Sequence, residues 1–335
     1  MKIAFFELED WEKEELKKGL FEGHELHLST EPLNEHTLTE EHDAEIVSVF
    51  VHSNLNRAAL DKLPNLKFIA TRSTGFDHID LGHCRERGIR VSNVPSYGEN
   101  TVAEHTFALI LALSRNIHKA FVHTLAHDIP FEELRGFDLA GKTLGVIGAG
   151  RIGLHVIKIA KGFGMNVVAF DVRQEPLLAE VLNFRYVSVD ELLGASDIIS
   201  LHCPYSPKTH HLINPDNIQR IKRGALLINT ARGGLIDPAA LTRALDEGIL
   251  AGAALDVLEG EELLKDERQI LAQSLAQDKL RTLLLNHSLL NRDNVVITPH
   301  IAFNSREAVQ RILETTLDNL RAFLRGQPRN LVNPG

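Results

Sequence analysis

Three short motifs in the second half of the chain carry side chains able to bind an anion and move a proton. In Asn229-Thr230-Ala231-Arg232-Gly233-Gly234 an arginine follows a buried apolar run and precedes two glycines. Open α/β sheets bind ligands at the C-terminal ends of their strands, and a guanidinium placed there can grip a carboxylate through paired charge-assisted bonds. Ala254-Leu255-Asp256-Val257-Leu258-Glu259-Gly260-Glu261 sets three acids at a second strand end. Thr298-Pro299-His300-Ile301-Ala302 sets a histidine at a third. An imidazole is the usual donor to a developing alkoxide, and a carboxylate on its other ring nitrogen fixes the tautomer. The chain holds 17 histidines, so position rather than residue type singles out His300.

A fourth motif supplies the other half of a carbonyl reduction. Leu144-Gly145-Val146-Ile147-Gly148-Ala149-Gly150-Arg151-Ile152-Gly153 reads as a strand, a turn and the start of a helix. Gly148 permits the tight turn, Gly150 lets the backbone approach a pyrophosphate, and Gly153 lets helix and strand pack closely; the helix N-terminus, from Arg151 and Ile152 on, faces the anion. Glycine spacing alone is a weak signal. Here a second apolar run, Asn166–Phe170, ends in Asp171 at the distance of a ribose-binding acid. Asp171 accepts from ribose hydroxyls and repels a 2′-phosphate, so NAD is expected over NADP. Arg173, two residues on, is the one feature that favours a 2′-phosphate, and a solvated loop side chain is its simpler reading.

These groups must be held by a scaffold, and the rest of the chain describes one. Apolar, β-branched runs recur between helical patterns: Lys2–Phe6, Glu45–Val51, Leu66–Thr71, Arg90–Asn93, Thr143–Ile147, Asn166–Phe170, Asp197–Leu201, Ala225–Asn229, Ala253–Val257 and Val295–Thr298. Continuous apolar strands alternating with helices imply parallel sheets covered on both faces, an α/β class. Asp237-Pro238 opens a helix that Gly248 closes, and a final helix opens after Ser305 and stops near Gly326. Glu12–Lys18 reads as a solvated helix face and Phe107–Leu113 as part of a buried helix. Residues 262–291 are helical in pattern but rich in polar groups, an excursion between two strands.

Composition sets the outer bounds. At about 150 residues per domain, 335 residues predict roughly two domains. A net charge of −9 argues against general nucleic-acid binding. Two cysteines, Cys84 and Cys203, fit a reducing, cytoplasmic setting, and no apolar run approaches the ~20 residues needed to cross a bilayer. No metal is expected.

Taken in order, GAGRIG, Asp171, SLHCPYSPKT, NTARGG, ALDVLEGEE and TPHIA resemble the D-isomer-specific 2-hydroxyacid dehydrogenase family over essentially the whole chain. TRSTGFDHID, VPSYGENTVAEHT and the long segment after Glu261 look most like its bacterial D-lactate dehydrogenases. The resemblance implies two doubly wound parallel-sheet domains with the cofactor cleft between them: a flavodoxin-like substrate domain, 1–99 and 299–335, and a Rossmann NAD domain, 100–298. It implies that Arg232 binds the 2-oxo acid, that Glu261 rather than Glu259 is the catalytic glutamate, and that His300 is the acid/base. Asp256 is similar to the acid near the nicotinamide carboxamide, and Cys203, Pro204, Thr209, Thr230 and Ala231 to residues lining the cofactor site. Backbone at Thr74 and Gly75 is expected to hold the substrate carboxylate and Tyr97 to close over it, with lactate favoured by that tyrosine. His202 reads as a core histidine, and His105 as a structural partner on a domain-connecting helix. A homodimer that uses residues 101–128 is implied too. Glyoxylate or hydroxypyruvate reduction, phosphoglycerate oxidation and an NAD-sensing scaffold similar to the C-terminal-binding corepressors are the rival readings.

Overall fold

The structure is a computed structural model that describes residues 1–18, 21–38, 42–127, 129–261 and 277–333. It divides into two compact units, 1–98 with 305–335, and 99–304.

The first unit is a five-stranded parallel sheet in the order β2-β1-β3-β4-β5, built from β1 (Lys2–Phe5), β2 (Glu25–Leu28), β3 (Ile46–Val49), β4 (Phe68–Thr71) and β5 (Arg90–Ser92). This is the flavodoxin-like order. Successive residues of each strand face opposite sides, so Ile3, Phe5 and Phe68 pack with Leu313, Leu317 and Leu320 of the helix Arg306–Leu324, while Ala4, Val47 and Ile69 pack on the other face with Leu60 and Leu63. Glu12 departs from the solvated helix face read from the sequence. It is buried, 3.5 Å from the buried Arg72, whose guanidinium also donates to Phe6 O and Glu7 O at 2.7 Å.

The second unit is a seven-stranded parallel sheet, β12-β11-β10-β9-β6-β7-β8. Its strands are β6 (Thr143–Ile147), β7 (Asn166–Phe170), β8 (Arg185–Tyr186), β9 (Ile198–Leu201), β10 (Ala225–Asn229), β11 (Leu250–Leu255) and β12 (Val295–Ile297). Counted within the unit this is the Rossmann order with one strand added, and its switch point lies between β6 and β9. Phe107, Ile110 and Leu113 of the helix Glu99–Ser114 are buried against Ile228 and Ala254. Asp237 caps the helix Pro238–Asp246 by accepting from Ala240 N at 2.7 Å. The 262–291 excursion contains the helix Gln277–Leu290; residues 262–276 lie outside the described residues.

The strand register is what positions the chemistry. Phe170, Ile147, Leu201, Asn229, Leu255 and Ile297 form one continuous row of paired residues across six strands. Every motif singled out above in this unit leaves the sheet directly after that row, on strands about 4.8 Å apart. Return to the first unit comes at Ser305 rather than at Pro299, because residues 300–302 are tied by hydrogen bonds to Asp256. No helix among the described residues is long and apolar enough to cross a membrane.

Candidate active site

The phosphate-binding turn has the shape its glycines require. Gly148 sits at φ +99°, and a Cβ on it would meet Cys203 N at 2.5 Å; a Cβ on Gly153 would meet Gly148 O at 2.0 Å. Neither position tolerates a side chain. Gly150 faces open space and precedes the helix Arg151–Gly162 without a side-chain cap, so the backbone amides of Arg151, Ile152 and Gly153 open the helix to an anion. The Arg151 guanidinium is exposed and lies 3.6 Å from Glu99. Asp171 Oδ2 accepts from Ala149 N and Oδ1 from Arg173 N, both at 2.8 Å. A carboxylate has about four lone-pair sites, so two remain for a pair of ribose hydroxyls. Arg173 turns outward and pairs with Glu175 at 2.9 Å. The turn and its acid therefore fit a dinucleotide with a free 2′-hydroxyl.

Next along the sheet, burial pushes the Cys203 thiol up to about 11, with the Asp171 charge adding to it, so the residue is a neutral thiol. His202 donates its backbone N–H to Ile147 O at 2.7 Å and its ring pairs with Ser200 at 2.8 Å; burial holds it down at about 3, an uncharged histidine. Thr209 closes the exposed loop that begins at Pro204, its hydroxyl donating to Pro204 O at 2.8 Å.

After β10, Asn229 braces the Arg232 turn. Its Oδ1 accepts from Ala231 N at 3.0 Å and its Nδ2 donates to Arg232 O at 2.8 Å. Thr230 is buried, its hydroxyl 3.0 Å from that of Thr106. Arg232 Nη1 donates to Ala231 O at 2.7 Å. A Cβ on Gly233 would meet Leu258 C at 2.0 Å, so this turn lies directly against the one after β11.

That neighbouring turn carries the acids, and the structure separates them. Glu261 Oε1 is 2.7 Å from His300 Nδ1, and its Oε2 accepts from Leu258 N at 3.2 Å. Glu259 instead pairs with His211 at 2.7 Å. Asp256 is fully buried: Oδ1 accepts from Thr298 Oγ1 at 2.6 Å and Ile301 N at 2.9 Å, and Oδ2 from Ala302 N at 2.9 Å. Burial raises its carboxyl, but bonds from His105, Thr298, Ala302 and Ile301 outweigh that, so it sits below the usual carboxylate range. His300 itself adopts φ +56°, a left-handed backbone rare for a side-chain-bearing residue, with its N–H shared between Asp256 O and Thr298 O. Arg232, Glu261 and His300 thus stand at the ends of three adjacent strands of one unit.

Thr74, Gly75 and Tyr97 belong to the first unit. Thr74 follows β4 and is pinned by donation from its hydroxyl to Val94 O at 2.7 Å and from Asn93 Nδ2 to its carbonyl at 2.8 Å; Ser73 Oγ donates to Gly75 O at 2.6 Å. The Tyr97 carbonyl accepts from Arg311 Nε. Sequence reading passed over the His105–Thr298 contact, 3.2 Å across 193 positions, which no motif spacing signals.

Residues 107–302 match the family model described as D-isomer specific 2-hydroxyacid dehydrogenase, NAD binding domain. Among curated proteins, the D-lactate dehydrogenase of Escherichia coli (strain K12) is 36% identical over 338 residues, 99% of this chain and 100% of that one. A glyoxylate reductase of Thermofilum pendens is 39% identical over 308 residues, covering 90% and 85%. Among solved structures, the D-lactate dehydrogenase of Aquifex aeolicus complexed with NAD and lactic acid superimposes with a TM-score of 0.87, at 38% identity, and covers 99% of each chain.

Proposed function

The chain belongs to the D-isomer-specific 2-hydroxyacid dehydrogenase family of NAD-dependent oxidoreductases, and from that premise we propose that it interconverts pyruvate and D-lactate. The observation that carries the proposal is the 2.7 Å pair of Glu261 and His300 beside the Arg232 turn. Similarity to D-lactate dehydrogenases over nearly the full chain supports the substrate.

When bound, NAD supplies or accepts the hydride. The turn Gly148–Gly153 would hold its pyrophosphate and Asp171 its adenosine ribose, with Cys203, Pro204, Thr209, Thr230 and Ala231 assigned to its surroundings and Asp256 to the nicotinamide end. The Arg232 fork takes the carboxylate and carbonyl oxygens of the 2-oxo acid, a planar anion matched to a planar donor. From the family resemblance, backbone at Thr74 and Gly75 is assigned to the substrate carboxylate, with Tyr97 closing over it. Glu261 occupies Nδ1 of His300, so proton transfer runs through Nε2: it protonates the developing alkoxide in reduction and takes the hydroxyl proton in oxidation. The Leu258 amide on Glu261 Oε2 keeps the carboxylate from rotating away.

A second reading, reduction of glyoxylate or hydroxypyruvate, is favoured by the Thermofilum pendens relative. Steady-state NADH oxidation against pyruvate, glyoxylate, hydroxypyruvate and phenylpyruvate separates the two. Pyruvate is expected to give the highest kcat/KM; a tenfold preference for glyoxylate or hydroxypyruvate overturns the lactate assignment.

Loss of the ribose acid is expected to be selective. Asp171→Ala removes charge-assisted bonds worth about 1.5–3 kcal/mol, so NADH kcat/KM falls about 10- to 100-fold while NADPH changes little. Equal losses for both coenzymes would show that Asp171 does not read the 2′ position.

Self-association is part of the same proposal. The helix Ile117–Leu125 buries none of its residues in the chain, and Ile117, Phe121, Val122 and Leu125 are each more than half exposed, continuing to Ile129 and Phe131. An apolar face of this kind fits a second copy better than water. Phe121→Asp is expected to halve the sedimenting mass, and a wild-type mass of one chain at micromolar concentration contradicts the dimer. The two free cysteines, Cys84 and Cys203, are consistent with a cytoplasmic setting.

A further inference from the structure

The Glu261 contact fixes the ring of His300 but leaves open what holds its backbone. The segment Thr298–Ala302 has no secondary structure of its own, and His300 within it takes the left-handed conformation at φ +56°. Such a conformation persists only where surrounding groups over-determine it. Four of the determining bonds come from one residue. Asp256 accepts from Thr298 Oγ1, Ile301 N and Ala302 N through its carboxylate, and from His300 N through its backbone oxygen at 2.8 Å. Because the Thr298 hydroxyl gives its proton to Asp256, it has only lone pairs to offer its other neighbour, His105 Nε2, at 3.2 Å. That nitrogen must therefore carry a hydrogen, and it also lies 3.5 Å from Asp256 Oδ1.

We infer that His105, on the helix Glu99–Ser114, is a positioning residue for the acid/base: its Nε2–H, through Thr298 and Asp256, locks the backbone that presents His300. The inference deepens the proposed mechanism and rests on His300 being its proton carrier. Two carboxylates then divide the task, Glu261 orienting the imidazole and Asp256 the chain beneath it. The Asp256 charge is what accepts the bonds from the Thr298 hydroxyl and the Ile301 and Ala302 amides, and the bond from His105 is the largest of the effects that keep its carboxyl below the ordinary range. The charged and titratable groups carried by the elements packed around Asp256 are Glu99, Glu104 and His105 on the helix, Arg232 on the turn after β10, Glu259 and Glu261 on its own turn, and His300. Of these, His105 brings its Nε2 to 3.5 Å from Asp256 Oδ1.

The sign of the pH effect follows. A depressed carboxyl keeps its anchoring charge until pH falls through its folded value; without the His105 donor that value rises and the anchor is lost at higher pH. His105→Leu removes the donor, whereas His105→Gln places an amide nitrogen where Nε2 was. Hydrogen exchange at the Ile301 and Ala302 amides reads the anchor without turnover, and the kcat–pH profile with pyruvate reads its consequence. In His105→Leu these two amides are expected to exchange at least about tenfold faster, and the acid limb of kcat to move up by about one pH unit, the scale of a single lost bond. KM for NADH stays within about twofold, and His105→Gln keeps both the protection and the limb. Unchanged protection in His105→Leu, or equal damage in His105→Gln, overturns the inference. Absence of pyruvate turnover in the wild type would instead count against the proposed reaction, with the exchange measurement still deciding whether His105 holds the segment.

Discussion

His300→Ala is expected to lower kcat for pyruvate reduction about 10²- to 10⁴-fold, the range of a lost general acid, with NADH affinity unchanged. Only Nε2 of this ring is offered to a substrate, since Nδ1 faces Glu261 at 2.7 Å. Among the described residues, no other side chain at the ends of β10, β11 and β12 is a ready substitute. Asp256 has both oxygens engaged and Glu259 is paired with His211; just after the neighbouring β9, burial holds His202 uncharged. Pre-steady-state mixing with NADH separates the chemical step from product release. A variant whose hydride-transfer rate stays within threefold of wild type from pH 5 to 9 would mean that the proton comes from elsewhere. Glu261→Gln is the companion case: it keeps an oxygen that can accept from Nδ1 but removes the negative charge, so its loss is expected to be smaller than that of His300→Ala.

Arg232→Ala is expected to reduce kcat/KM for pyruvate about 10²- to 10³-fold, corresponding to about 3–4 kcal/mol for truncating one partner of a desolvated charge pair. Most of the effect should appear in KM for the 2-oxo acid, with the dissociation constant of NADH moving less than twofold. Arg232→Lys should recover only part of it, because an ammonium cannot reproduce the two parallel bonds of the guanidinium fork. The scaffold for that fork is already in place: Asn229 braces the turn from both sides and Gly233 lets it lie against Leu258. The chain has a net charge of −9, so the proposed anionic substrate would be drawn by such local groups, against the overall sign of the chain. Equal weakening of pyruvate and NADH in Arg232→Ala would show a collapsed turn rather than a lost substrate contact.

What could be read from the sequence follows from where burial is strongest. The central strands are apolar along their whole length because both faces are covered, so β1, β3, β4, β6, β7, β9 and β10 announce themselves. Glu25–Leu28 and Arg185–Tyr186 did not, because each is an edge strand, half solvated and polar, whose pairing is decided by its neighbour rather than by its own residues. β11 begins at Leu250 instead of Ala253 because it pairs with β10 through a register shift at Ala225/Leu226, a feature with no local signature.

The site was legible for a different reason. The candidate groups follow their strands within a few positions, so strand ends mark Arg232, His300 and the acids Asp256, Glu259 and Glu261, while the choice of Glu261 among those acids rests on the family resemblance. What stayed hidden was everything that joins distant segments. Glu12 looks like one charge among many on an exposed helix until Arg72, sixty positions away, is seen beneath it. Asp256, expected near the nicotinamide end, gives no sign in the sequence that its oxygens also accept from Thr298, Ile301 and Ala302. Side chains that hold a backbone in place leave no periodicity behind them.

The central claim is that this arrangement passes hydride to the C2 carbonyl of pyruvate while His300 protonates its oxygen. The most direct measurement is the chirality of the lactate formed from pyruvate and NADH by the purified protein, resolved on a chiral column. D-lactate, formed in amounts equal to the NADH consumed and lost with His300→Ala, is the predicted result. L-lactate, a racemate, or no lactate would contradict it.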